Sequence, residues 1–128
     1  MDFENMRFTK EHEWVRFDKG SDTVTVGITD FAAGELGDIV YVEFPRVGQE
    51  VKAMEPMGTI EAVKTVADLY APVSGLIKET NTKLNDDPAL VAQSPYDDGW
   101  FVRIALSNRG ELDGLMSKSE YDKTVGKD

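Results

Sequence analysis

The sequence predicts a mainly β protein, a β-sandwich or flattened barrel with short helices at its periphery. Two observations predict this class: short strand-prone runs recur along the chain, and clusters of glycine, proline, asparagine and aspartate separate them. The length of 128 residues and the hydrophobic content of 41% suit one folded domain over residues 1–128.

Strand propensity and turn residues define the first elements. Residues 8–17 mix aromatic and charged side chains, which predicts a first strand with its turn. Residues 19–22 contain the glycine, serine and aspartate of a turn. The β-branched run at 23–28 predicts a strand, and the run at 38–44 predicts another. The strand at 38–44 is expected to place three side chains on one face: Val40, Val42 and Phe44.

A short helix is predicted between these two strands, at residues 29–37. Thr29 or Asp30 can cap its N-terminus, because both side chains accept hydrogen bonds from the free amides of a first turn. Gly37 can end it, since glycine adopts the left-handed conformation that closes many helices.

Residues 58–75 place one lysine between two strand-prone runs. Pro72 lacks an amide proton and belongs at a strand start or edge, so we predict a hairpin or sharp bend in place of one long strand. Lys64 then lies near an exposed tip. From spacing alone, such a lysine is a solvated side chain and indicates no function.

Two further strands are predicted after the hairpin, at 75–80 and 100–106. The second is expected to turn alternate side chains inward: Trp100, Val102, Ile104 and Leu106. A short helix is predicted at 85–91, with Asp87 as its cap and Pro88 at its first helical position.

The C-terminal segment, about residues 111–125, is predicted to be helical. Leu112, Leu115 and Met116 recur at helical spacing, and Ser117 with Glu120 forms a capping-box pattern. We therefore expect this segment to pack on the sheets.

The chain has few of the residue types and motifs that enzymes use for catalysis. It has no cysteine and a single histidine, His12, so thiolate catalysis and Cys- or His-rich metal sites are excluded. No Gly-rich nucleotide loop and no nucleophile elbow occurs. We expect a non-enzyme without a metal site, in which His12 has a structural role.

Charge and hydropathy restrict the partners and the location. A formal net charge of −10 disfavours nucleic acid and anionic membranes and favours basic partner surfaces. No apolar run approaches the roughly 20 residues that span a bilayer. Residues 1–4 are acidic and lack the features of a secretory or transit signal, so we expect a cytoplasmic protein. We also expect the protein to be a monomer.

The residues around Lys64 indicate a function that its spacing alone does not. Glu-Ala-Val-Lys-Thr at 61–65, followed by Asp-Leu-Tyr-Ala-Pro-Val-Ser-Gly at 68–75, resembles the attachment hairpin of lipoyl carrier domains. The resemblance extends over roughly residues 7–123 and is closest to the glycine cleavage system H proteins. Further matching segments lie at 9–15, 26–30, 36–38, 84–88, 94–100 and 111–121.

The resemblance implies the lipoyl-carrier fold, a barrel-sandwich hybrid of two antiparallel sheets, with lipoic acid in amide linkage to Lys64. It also implies a carrier role, in which the arm takes an aminomethyl group and electrons from the pyridoxal-phosphate enzyme glycine decarboxylase. The aminomethyltransferase passes the group to tetrahydrofolate, and dihydrolipoamide dehydrogenase reoxidises the arm. A lipoylating enzyme is implied as well, because a lysine amine is ordinarily protonated at neutral pH and its acylation needs an activated acyl group.

The resemblance also suggests which residues shelter the loaded arm. Glu13 and Asp68 match acidic family positions near the arm and could pair with the aminomethyl nitrogen, although each could equally be a solvated carboxylate. Phe31 stands where many members have a histidine, so the shelter is expected to be weaker or more apolar here. Ala62 and Thr65 replace the usual serine and alanine beside the lysine site.

Three other functions stay open at this point. A biotinyl domain is disfavoured, because biotin sites prefer methionine on both sides of the lysine and Val63 and Thr65 stand here. An H-like protein that relays lipoyl groups to 2-oxoacid dehydrogenases would use the same hairpin. A non-carrier interaction module would carry no lipoyl group at all.

Overall fold

The computed structural model describes residues 3–18 and 20–126. The ends of the predicted domain, Met1, Asp2, Lys127 and Asp128, and Lys19 of the predicted turn at 19–22 lie outside these ranges. Within them the chain forms nine strands: β1 (Met6–Phe8), β2 (Glu13–Phe17), β3 (Thr23–Ile28), β4 (Ile39–Glu43), β5 (Glu50–Val51), β6 (Pro56–Ala62), β7 (Val66–Tyr70), β8 (Gly75–Thr80) and β9 (Val102–Leu106).

The strands form two antiparallel sheets, which confirms the predicted fold class. One sheet has the order β1-β2-β3-β9-β8-β5, and the other has the order β4-β6-β7. A shared core joins them, because Val15 and Val26 of the large sheet lie in one apolar cluster with Val42 and Ile60 of the small sheet. The architecture is therefore a sandwich of two open sheets.

A second apolar cluster covers the other face of the large sheet. It contains Met6, Phe8, Trp14 and Tyr121. Trp14 therefore faces away from Val15, its neighbour on β2, as strand alternation requires. Tyr121 comes from the C-terminal helix, so that helix is held against the sheet by apolar contacts on this outer side.

In the part of the chain that the structure describes, four short α-helices lie around the sheets: α1 (Asp30–Leu36), α2 (Lys83–Asp86), α3 (Leu90–Gln93) and α4 (Lys118–Thr124). The prediction for α1 is confirmed at both ends. The Thr29 hydroxyl accepts from the Ala32 amide, and Gly37 follows the helix with φ 77°. Among the described residues no helix has the length and apolar character needed to cross a bilayer.

Two predictions about the middle of the chain were wrong in detail. Val40 does not share the buried face of Val42 and is 49% exposed, because the β4–β6 register shifts between Ile39 and Tyr41. Pro88 is not the first residue of a helix: it lies in the turn between α2 and α3, where the carbonyls of Asp87 and Pro88 accept from the amides at the start of α3.

The C-terminal segment is helical in two pieces, not in one. A 3-10 helix covers Arg109–Gly114, and α4 begins at Lys118 after the predicted capping box of Ser117 and Glu120. Between them Met116 exchanges two backbone hydrogen bonds with Phe8, of 2.8 and 2.9 Å. A continuous helix would need those backbone groups for itself, so the pairing with β1 interrupts it.

Candidate functional site

Lys64 lies at the tip of the β6–β7 hairpin, as predicted. The Ala62 amide donates to the Thr65 carbonyl at 2.8 Å and closes the tip. The Val63 amide donates to the Asp38 carbonyl at 2.9 Å, which fixes the tip to the segment that follows α1. Lys64 is exposed, so its amine can be reached from solvent.

The side chain of Lys64 runs beside the end of α1. A Cβ atom on Gly37 would lie 3.3 Å from Lys64 Cε and 3.8 Å from Nζ. Glycine is needed here for its left-handed φ of 77°, and the missing side chain also leaves space for the lysine. The lysine is therefore next to the helix that forms one wall of a nearby cavity.

That cavity has a volume of about 410 Å³ and lies between the turn before β2, helix α1 and the hairpin. Glu13, Phe31 and Asp68, which the sequence had only suggested, all line it. Other lining residues are mainly apolar and include Ile28, Ile60 and Leu36. The volume is within the usual range for small-molecule sites.

Two of the carboxyl groups that line the cavity, those of Glu13 and Asp68, have different surroundings. Glu13 is buried, with 2% of its surface exposed, and the Thr9 hydroxyl donates to its Oε1 at 2.6 Å. Burial raises the pKa of Glu13 to about 8, although the bond from Thr9 opposes this shift. Asp68 is exposed. The alternative prediction of a solvated carboxylate is therefore correct for Asp68 and wrong for Glu13.

His12 and Phe31 form an aromatic part of the cavity wall. Their ring centroids lie 5.0 Å apart, and Nδ1 of His12 is 2.8 Å from the Tyr121 hydroxyl. His12 does not extend a strand, since its φ of 70° places it in the turn before β2. The hydrogen bond of this ring suits the structural role expected of His12, and its partner is 109 residues away in the chain.

Sequence reasoning missed Glu35 and Leu36, which also line the cavity. Glu35 lies four residues after Phe31 on α1, so the two share a helix face. Helical spacing from Phe31 was the signal that could have identified Glu35. Among the described residues, no cluster of carboxylates and histidine is arranged to hold a metal ion.

The chain resembles known proteins over nearly its whole length. The family model for the glycine cleavage H-protein matches residues 6–128. The glycine cleavage system H protein of Staphylococcus carnosus is 46% identical over 123 residues, 96% of each chain. That of Geobacillus thermodenitrificans is 51% identical over 120 residues, 94% of this chain and 93% of its own.

A solved structure agrees with these relatives. The crystal structure of a glycine cleavage system H protein from Mycobacterium marinum superposes with a TM-score of 0.88 at 40% identity, covering 98% of this chain and 99% of its own. The chain belongs to the glycine cleavage H-protein family, whose members are lipoyl carriers of the glycine cleavage system and not enzymes.

Proposed function

We propose that Lys64 is the residue of this carrier that bears the lipoyl group. The observation that carries the proposal is the position of its side chain, exposed at the hairpin tip and in contact range of Gly37 at the end of α1. An amine in this place can be reached by an acylating enzyme and still lies beside the cavity.

The residues around the cavity suit a lipoyl arm. An aliphatic chain and a dithiolane ring need an apolar wall, which Ile28, Ile60 and Leu36 supply. When bound, the arm supplies the sulfur chemistry that a chain without cysteine lacks, accepting an aminomethyl group and electrons.

Glu13, Phe31 and Asp68 are proposed to shelter the loaded arm. Glu13 holds its proton in the absence of a cation, since burial disfavours its charged form. An amine that enters unprotonated beside Oε1 or Oε2 takes that proton, which leaves an ammonium group paired with the Glu13 carboxylate. Phe31 covers the wall beside His12 and keeps water from it, while exposed Asp68 offers a screened charge at the hairpin.

The partners are the other components of the glycine cleavage system. We propose that they include the pyridoxal-phosphate glycine decarboxylase, the aminomethyltransferase and dihydrolipoamide dehydrogenase, with a separate lipoylating enzyme that acylates Lys64. Tethering the arm to a docked carrier raises its effective concentration at each of these enzymes.

We also propose that residues 1–128 form a single lipoyl-carrier domain and act as a monomer. The core cluster shared by both sheets supports the single domain. The cytoplasmic location and the C-terminal limits of the domain stay predictions.

The test is the site of modification. The protein is incubated with lipoate, ATP and a lipoate ligase, and its intact mass and peptide map are recorded. The unmodified chain should gain one lipoyl group on Lys64, and Lys64→Arg should gain none while its circular dichroism stays unchanged. Lys78→Arg, at an exposed lysine of β8, is the matched control and should be lipoylated normally. Lipoyl found on Lys52 or Lys78 would disprove the proposal.

A further inference from the structure

The cavity beside Lys64, lined by Glu13, Phe31 and Asp68, is called the arm cavity here. One hydroxyl group of the C-terminal helix bonds to residues at the wall of this cavity. Tyr121 of α4 is 2% exposed, and its Oη lies 2.8 Å from Nδ1 of His12 and 2.8 Å from Oγ1 of Thr29. His12 lines the cavity, and Thr29 caps the helix that carries Phe31. Tyr121 itself does not line the cavity, so any effect on the arm passes through these two residues.

The directions of the three hydrogen bonds follow from counting protons. Oγ1 of Thr29 accepts from the Ala32 amide at 3.2 Å, so its own proton is free to be donated. Among the residues that the structure describes, its remaining partner is the Tyr121 hydroxyl. If Tyr121 donated to Thr29 instead, the proton of the buried Thr29 hydroxyl would have no acceptor among these residues, so we infer that Tyr121 Oη accepts from Thr29.

The single proton of the Tyr121 hydroxyl is then directed at His12. Burial raises the pKa of Tyr121, so the hydroxyl keeps its proton and acts as a donor. A ring nitrogen that accepts carries no proton of its own, so Nδ1 of His12 is unprotonated and Nε2 bears the proton of the neutral ring. The helix cap thus determines the tautomer of His12 through Tyr121.

The same contacts also fix where the ring lies. The His12 carbonyl accepts from the Thr29 amide at 3.0 Å, which ties the backbone of the turn to the start of α1. The ring packs edge-on against Tyr121, with the centroids 5.7 Å apart, and tilted by 43° against Phe31, with the centroids 5.0 Å apart. Its position and that of Phe31 therefore depend on the side chain from α4.

We propose that Tyr121 is a positioning residue for the arm cavity, which holds His12 in its Nε2–H tautomer and keeps Phe31 against it. The effect on the arm rests on the proposed function of Lys64. His12 lines the cavity, so the orientation of its ring and the nitrogen that carries its proton determine which hydrogen bonds this part of the wall can make.

The first test needs no lipoyl group. Because His12 is the only histidine, the ring ¹⁵N signals of a tag-free protein report on it alone. Measured well above the ordinary histidine pKa, the wild type should show a protonated Nε2 and an unprotonated, hydrogen-bonded Nδ1. Tyr121→Phe should shift the Nδ1 signal toward that of a free imidazole. A proton on Nδ1 in the wild type would overturn the proposal without any variant.

The second test uses protein loaded with the aminomethyl group on its lipoyl arm, and measures formaldehyde release. Tyr121→Phe should speed release about three- to tenfold, the effect of one lost hydrogen bond, with lipoylation unchanged. Tyr96→Phe is the control, because its hydroxyl bonds Asp30 at 2.9 Å at the start of the same helix. It should leave the His12 signals and the release rate as in the wild type.

The outcomes separate this inference from the proposed function. If Lys64 is not lipoylated, the proposed function fails and the ring signals still test the positioning of His12. If Lys64 is lipoylated and Tyr121→Phe releases formaldehyde at the wild-type rate, the positioning role is disproved. Equal effects of Tyr96→Phe and Tyr121→Phe would also disprove it, since they would reflect a general loosening of α1.

Discussion

The hairpin tip and the cavity wall beside it are stabilised in different ways. At the tip, backbone hydrogen bonds hold the chain, and the side chains of Val63 and Val66 are 70% and 60% exposed. In and behind the wall, buried side chains bond to one another: Glu13 accepts from Thr9, and Thr29 bonds to Tyr121. The tip can therefore change its side chains with little loss of stability, whereas each polar group of the wall depends on a particular partner.

The largest expected effect is on the pH dependence of the free energy of unfolding, and it comes from Glu13. Its pKa is about 8 in the folded chain and about 4.5 when unfolded. Below pH 4.5 both states hold the proton. As pH rises towards 8 only the unfolded state loses it, so the free energy of unfolding falls by up to about 1.4 kcal/mol per pH unit, a few kcal/mol in all. Glu13→Gln removes this component, and urea titrations of both proteins at about pH 5 and about pH 8 measure it.

Asp68→Asn is the control for this stability prediction. Asp68 is exposed, so this variant should keep the pH dependence of the wild type. A wild-type stability that is equal to that of Glu13→Gln at both pH values would show that Glu13 is ionised in the folded chain, against our description of the wall.

A second prediction compares the two carboxyl groups in the loaded carrier. Glu13→Gln should shorten the lifetime of the aminomethyl group by about tenfold, since a buried charge-assisted bond contributes about 1–2 kcal/mol. Asp68→Asn should shorten it by less than about threefold, because solvent screens an exposed pair. Lipoylation should be unchanged in both. Release of formaldehyde at the wild-type rate from both variants would refute the shelter.

The smallest expected effect lies where the tip meets the wall. Gly37→Ala places a methyl group 3.3 Å from Lys64 Cε and should turn the lysine away from α1, shortening the lifetime of the loaded form about two- to threefold. The left-handed φ adds a stability loss of about 1–2 kcal/mol.

Two alanine variants separate these contributions to the Gly37 result. Gly20→Ala has a similar φ of 83° with nothing within 4 Å of its Cβ, so it should lose stability and keep the lifetime. Gly34→Ala, also in open space but inside α1, should raise the stability by about 0.5–1 kcal/mol and keep the lifetime. A shortened lifetime in Gly20→Ala would attribute the effect to backbone strain alone.

Local signals in the sequence were sufficient for several elements. Thr29 and Gly37 marked both ends of α1, and Ser117 with Glu120 marked the start of α4. These predictions held because a cap bonds to amides within a few residues, so the information lies next to the element it defines. The hairpin around Lys64 followed from the same kind of local pattern.

Features that depend on distant contacts were not predictable in this way. Met116 leaves the helical conformation because Phe8 pairs with it, and Val40 is exposed because of a register shift. The burial of Glu13 depends on the hairpin and α1 closing over the turn before β2. No window around Glu13 contains that information, which is why a buried and a solvated carboxylate could not be told apart.

The bond from Val63 to Asp38 has a consequence for how quickly the carrier can deliver its load. It gives the proposed arm one fixed pivot, so an arm that occupies the cavity cannot reach into a partner at the same time. Shelter and delivery therefore compete for the same arm, and every gain in protection lowers the fraction of time in which the load is available. A partner enzyme must bind the extended arm more strongly than the cavity binds the folded one, and that difference in affinity limits how tight the cavity can become.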